Sequence, residues 1–201
     1  MKFIRQSDLG EYSCQFWMRQ AAKGDRPDID AMIAFGDWAN PIELLEMRHP
    51  NKLPFASTSA NVIVVILDRV DVAGLVVAPH LATPEWMGEP KEGLNYVPNP
   101  CPRRLDELAR LHIEDGYFAR EGPGTPRKLY LKWKQAGSLD GRLGPGCRPL
   151  VKQMPTGELE IADGWGRLLA YEALLQEDQE DYAFSPVECF VARDVMTTKP
   201  Q

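Results

Sequence analysis

The sequence predicts an α+β fold, a mixed sheet with flanking helices, and three stretches carry that prediction. Residues 62–68 are a β-branched run, the mark of a buried strand. In residues 158–161, Leu159 and Ile161 alternate with Glu158 and Glu160, the period of a half-buried strand. Directly behind, Leu168, Leu169, Tyr171, Leu174 and Leu175 recur at helical spacing. The chain has 201 residues and is 44% hydrophobic, enough for a real core in one domain, or in one domain with an appended subdomain.

From the amino terminus, Ser7 reads as the N-cap of a helix running to about Lys23, with Phe16, Trp17 and Ala21 apolar and Gly24 as the stop. A second helix is expected over 28–38. Asn40-Pro41 followed by Glu43 is a helix start: a cap residue, proline in the first turn, an acid near the positive end. That helix should end near Arg48, before Pro50. A further strand is expected over 74–78, and residues 79–100, with five prolines, read as an irregular crossing segment. Leu105, Leu108, Leu111 and Ile113 make a helix face that Gly116 closes. Residues 119–147 are rich in glycine, proline and basic side chains. Within them residues 129–134 alternate, which predicts a strand with Leu129, Leu131 and Trp133 on one face and Tyr130, Lys132 and Lys134 on the other. Strands over 148–153 and 187–191 complete the reading.

Net charge is −6, which argues against a simple nucleic-acid glove, but residues 100–152 hold eleven Lys/Arg against six Asp/Glu. Such a basic island in an acidic chain can mark a polyanion-binding face, or only a solvated mixed-charge surface. On the first reading Arg127, Lys128, Lys132, Lys134 and Arg142 contact DNA phosphates without reading sequence. The start of the chain has no signal-peptide core and no apolar run is long enough to cross a bilayer, so a cytoplasmic protein without membrane insertion is expected. Cys14, Cys101, Cys147 and Cys189 form no CxxC and are expected as reduced thiols; His49, His80 and His112 lie far apart. The five tryptophans read as core residues or interface anchors.

The most informative segment is Asp163-Gly164-Trp165-Gly166-Arg167, between the strand and the helix. Glycines let helix N–H groups approach a phosphate, the helix dipole favours the anion, and arginine adds a charged fork. Gly164, Trp165, Gly166 and Arg167 are therefore candidate nucleotide-phosphate binders. The same spacing also fits a plain strand-to-helix turn capped by Asp163. Asp163, with Glu160 or Glu158 nearby, is the candidate ligand for Mg²⁺ or another divalent cation, and Asp163, Arg167 and Glu160 are the candidate catalytic residues for phosphodiester or nucleotide hydrolysis.

The order of parts resembles the ParB/sulfiredoxin (ParB/Srx) superfamily. Pro98-Asn99-Pro100, Arg103, Leu105-Asp-Glu-Leu-Ala109 and Gly116 are similar to the opening motif of ParB-type domains. Pro149-Leu-Val, Gly157-Glu-Leu-Glu-Ile161, Asp163-Gly164-x-x-Arg167-x-x-Ala170 and Pro186-Val-Glu are similar to their phosphate-motif half. The resemblance covers about 94–194 and implies a ParB/Srx-like domain there with a basic insertion at 119–147. It leaves 1–93 as a mainly helical N-terminal extension with one or two core strands, and 195–201 as a tail. Trp165 and Gly166 replace the glutamate and first arginine of the ParB Gly-Glu-Arg-Arg turn. Trp165 also stands where sulfiredoxins carry their cysteine, so sulfinic-acid reduction is not expected. The small plasmid fertility-inhibition branch of the superfamily implies a bacterial DNase with ATPase activity, using ATP or another nucleotide. It would block DNA in a conjugation-type secretion system, with a secretion coupling protein as a further partner. The alternative is a non-catalytic nucleotide- or DNA-binding partition or adaptor protein.

Overall fold

A seven-stranded mixed sheet with helices on both faces organises the chain, seen in a computed structural model that describes residues 1–21, 41–48, 60–77, 103–119, 125–177 and 182–194. The elements are β1 (Lys2–Ser7), α1 (Leu9–Ala21), α2 (Pro41–Arg48), β2 (Ala60–Leu67), α3 (Arg69–Ala73), β3 (Val76–Val77), β4 (Arg103–Arg104), α4 (Leu105–Glu114), a 3₁₀ turn (Tyr117–Ala119), α5 (Thr125–Ala136), β5 (Leu150–Gln153), β6 (Leu159–Asp163), α6 (Trp165–Glu177) and β7 (Val187–Asp194). Strand order is β1-β2-β7-β5-β6-β3-β4. β7 and β5 run parallel, as do β3 and β6; the other pairs are antiparallel. Strands from before residue 93 and after it are interleaved, so the boundary read from the sequence there does not divide the sheet.

The pleat explains the two cores. Ile63, Val65 and Leu67 of β2, with Val187, Cys189 and Val191 of β7, face a layer built from α3, α4, α5 and α6. Val62 and Val64, with Phe190 and Ala192, face Leu9, Tyr12, Phe16 and Trp17 of α1 and Leu45 of α2. A strand covered on both sides has no polar face, which is why 62–67 reads as a continuous apolar run. α6 is buried from Trp165 to Leu175 except at the half-buried Arg167, walled by the sheet on one side and by α4 and α5 on the other.

Several sequence expectations are corrected. Residues 129–134 are not a strand but the middle of α5. Tyr130 and Trp133 are buried at helical spacing, whereas Leu131 is 50% exposed. Ser7 ends β1, a strand the sequence reading missed, and Asp8 caps α1 instead: its Oδ1 accepts from the Glu11 amide at 2.7 Å. The start at Pro41, the helix after Arg104 and the left-handed Gly116 (φ 66°) follow the sequence reading. The helix expected over 28–38, the segment 79–100, Cys101, His49, His80, Trp38 and Trp86 lie outside the described residues. Trp17, Trp133 and Trp165 are buried in the cores, and Cys14, Cys147 and Cys189 are free thiols.

Candidate functional site

Asp163 ends β6, and its direction is set by an irregularity in the ladder. Leu150 pairs with Asp163 but Val151 pairs with Ile161, so Ala162 is an extra residue on β6. Such a bulge re-aims the residue beside it. Without it, Asp163 would share the face of Ile161 and point into the α4–α6 layer. With it, Asp163 shares the face of Leu150 and points at α1.

There it meets two arginines. Arg19, in the last turn of α1, donates from Nη2 to Asp163 Oδ2 at 2.7 Å. Arg167 brings its own Nη2 to the same oxygen at 3.6 Å. The three side chains are nearly enclosed, at 16%, 11% and 16% exposed for Arg19, Asp163 and Arg167. Arg167 also donates from Nη1 to the Cys147 carbonyl. Arg19 and Gln15 both donate to the Arg148 carbonyl, at 3.3 and 2.9 Å, tying α1 to the chain entering β5. Burial, then the neighbouring charge of Arg19, pulls the Arg167 guanidinium down to about 10, so it stays charged at neutral pH. Burial, reinforced by Asp163, pushes the Tyr12 phenol well above its ordinary range, so it is neutral. The cluster thus carries two positive charges and one negative in a poorly hydrated place.

Gly164 makes this geometry reachable. Its φ of 88° is left-handed, and a Cβ there would stand 2.7 Å from Arg167 Nη2 and 3.0 Å from Pro149 Cβ. The guanidinium folds back over the turn through the space glycine leaves. Gly166 serves a different contact: a Cβ would meet Pro126 Cγ at 3.3 Å, so this glycine lets α5 pack close to α6. Trp165 is buried in the α4–α6 layer. Of the four candidate phosphate binders, Gly164 and Arg167 therefore line the Asp163 cluster, while the Trp165 side chain is buried in the core and Gly166 packs against Pro126 of α5.

The donor set does not fit a divalent cation. Asp163 already faces two guanidinium groups, and a metal ion would add a third cation. Glu160 is held by Lys152 Nζ at 2.6 Å across the β5–β6 pair, and Glu158 is exposed and accepts from the Thr156 hydroxyl at 2.8 Å. Among the described residues no three His, Cys, Asp or Glu side chains gather as metal ligands would.

The basic residues of the 119–147 stretch separate. Lys128 and Lys132 project to solvent one helical turn apart on α5. Lys134 leans back on the Tyr130 hydroxyl at 3.0 Å and reaches Glu177 at 3.5 Å. Arg127 is buried with its guanidinium 5.0 Å from the Tyr117 ring centroid, and Arg142 donates to the Ser138 carbonyl at 3.3 Å. No helix among the described residues is long and apolar enough to cross a membrane.

Sequence reasoning missed Arg19. It comes from 144 residues away, and no local pattern marks it. No protein-family model, no curated protein and no solved structure matches the chain.

Proposed function

We propose that the chain is a non-hydrolytic phosphate-binding protein that engages a nucleotide at the turn between β6 and α6. The observation that carries this is the convergence of Arg19 and Arg167 on one carboxylate oxygen beside the amino end of α6, leaving an excess of positive charge. Guanidinium forks match phosphate geometry, and bonds to an anion strengthen where water is scarce. Kinship with the ParB/Srx superfamily belongs to the same proposal. Its support is the order strand, left-handed glycine, helix, with the arginine three residues beyond that glycine turned back on the turn. The nuclease and ATPase activities of the fertility-inhibition branch need a metal, and the Asp163 surroundings oppose one. Nucleotide binding without multiple-turnover phosphate release is therefore expected, in the manner of a partition or adaptor protein.

Calorimetric titration with ATP and CTP tests this. Arg167→Ala should weaken binding by about 1.5–3 kcal/mol, the scale of a charge-assisted bond. Equal affinity of wild type and variant for every nucleotide, or sustained Mg²⁺-dependent phosphate release, contradicts it.

A second contact, with a DNA backbone, is favoured by Lys128 and Lys132 sharing one exposed face of α5. It should be independent of sequence and fall steeply with salt. Replacing both lysines with glutamine should flatten the salt slope by about two counterions. An unchanged slope removes α5 from the interface.

A further inference from the structure

We infer that Asp163 is an internal stand-in for phosphate: it holds the Arg19–Arg167 pair in the free protein, and the phosphate of the ligand replaces it there. This rests on the phosphate-binding reading above and adds how that site is controlled.

The two guanidinium groups are unequally served. Arg19 reaches Asp163 Oδ2 at 2.7 Å, while Arg167 stops 3.6 Å from the same atom, beyond hydrogen-bonding distance. One carboxylate carries one charge against two cations. A terminal phosphate carries more charge and three oxygens, so it can serve both forks at once. Asp163 occupies this position only because the bulge at Ala162 turns it away from the Ile161 face.

Magnitudes decide what moves. Lifting α1 would expose Leu9, Tyr12, Phe16 and Trp17, at about 1.5–3 kcal/mol each, more than a phosphate contact returns. The exchange is therefore confined to side chains. Arg19 sits in the last turn of α1 and its other bond, to the Arg148 carbonyl, is long at 3.3 Å. It can follow the incoming phosphate while α1 stays docked.

The stand-in makes Asp163 a brake on binding, the opposite of a metal ligand or catalytic acid. The test is calorimetry of the full chain with inorganic tripolyphosphate and with ATP, on wild type, Asp163→Asn, Arg19→Gln and the double variant. Asp163→Asn should bind at least tenfold more tightly than wild type, and adding Arg19→Gln should abolish that gain. Should Asp163→Asn fail to unfold cooperatively, Asp163→Ser is read in the same way. Wild-type binding with Asp163→Asn equal or weaker overturns the stand-in and leaves the site reading intact. No binding by wild type or by either neutral variant overturns both.

Discussion

Two carboxylates nine residues apart are buried against arginines, and they are held in different ways. Glu172, in the middle of α6, is fully buried and takes both nitrogens of the Arg69 fork, with the Gln176 amide adding a third donor at 2.8 Å. One cation meets one anion, and the remaining capacity is filled by a neutral group. Asp163, at the foot of the same helix, meets two cations at Oδ2 and is also hydrogen-bonded to the neutral Tyr12 phenol. A balanced buried pair has nothing left to offer a ligand, and its role is to hold α3 against α6. An unbalanced pair retains positive charge, and a stronger anion can compete for it. The difference, rather than the presence of buried charge, separates a structural pair from the proposed binding site.

The largest effect that would sharpen this contrast is at Arg69. Arg69→Ala leaves Glu172 charged and enclosed, which should cost about 3–4 kcal/mol in urea denaturation while phosphate affinity stays at the wild-type value. A cost below about 1 kcal/mol would show that water reaches Glu172 and that the two sites are not distinct in kind. The next effect concerns His112, in the same helical layer and in contact with the Tyr117 ring at 4.9 Å. Burial pulls its pKa down from 6.5 to about 4. The unfolded chain therefore takes up the proton first as pH falls. His112 should cost no stability above about pH 6.5, cost progressively more between there and about pH 4, and level off below, for a loss on the order of 3 kcal/mol. His112→Leu should remove that slope; a slope that persists assigns it to other groups. The smallest effect is at Leu131 on α5. Leu131→Glu should change stability by no more than about 0.5 kcal/mol, because the side chain lies outside the layer. A loss of several kcal/mol would restore the strand reading of 129–134.

What could be read from the sequence was what one element encodes by itself. The β6–α6 unit showed in its change of period, the α2 start in Pro41 and the α4 stop in Gly116. α5 failed because Leu129, Leu131 and Trp133 alternate as well as they fit a helix. Only the packing of Tyr130 on Phe118, ring centroids 4.5 Å apart, decides between them. β1 failed because a strand at the sheet edge, exposed along its length, carries no buried face to announce it. In the site, Asp163, Gly164 and Arg167 were legible as a turn motif. The bulge that aims Asp163 and the Arg19 that meets it were not, since each depends on a pairing between distant segments.

On the proposed function, Arg19 and Arg167 together hold a phosphate. A crystal structure of the chain grown or soaked with ATP would show whether they do. Phosphate oxygens are expected within about 3 Å of both guanidinium groups, with Asp163 withdrawn from Arg19 and α1 in place. Nucleotide bound elsewhere, with the Arg19–Asp163 contact still closed, would contradict it.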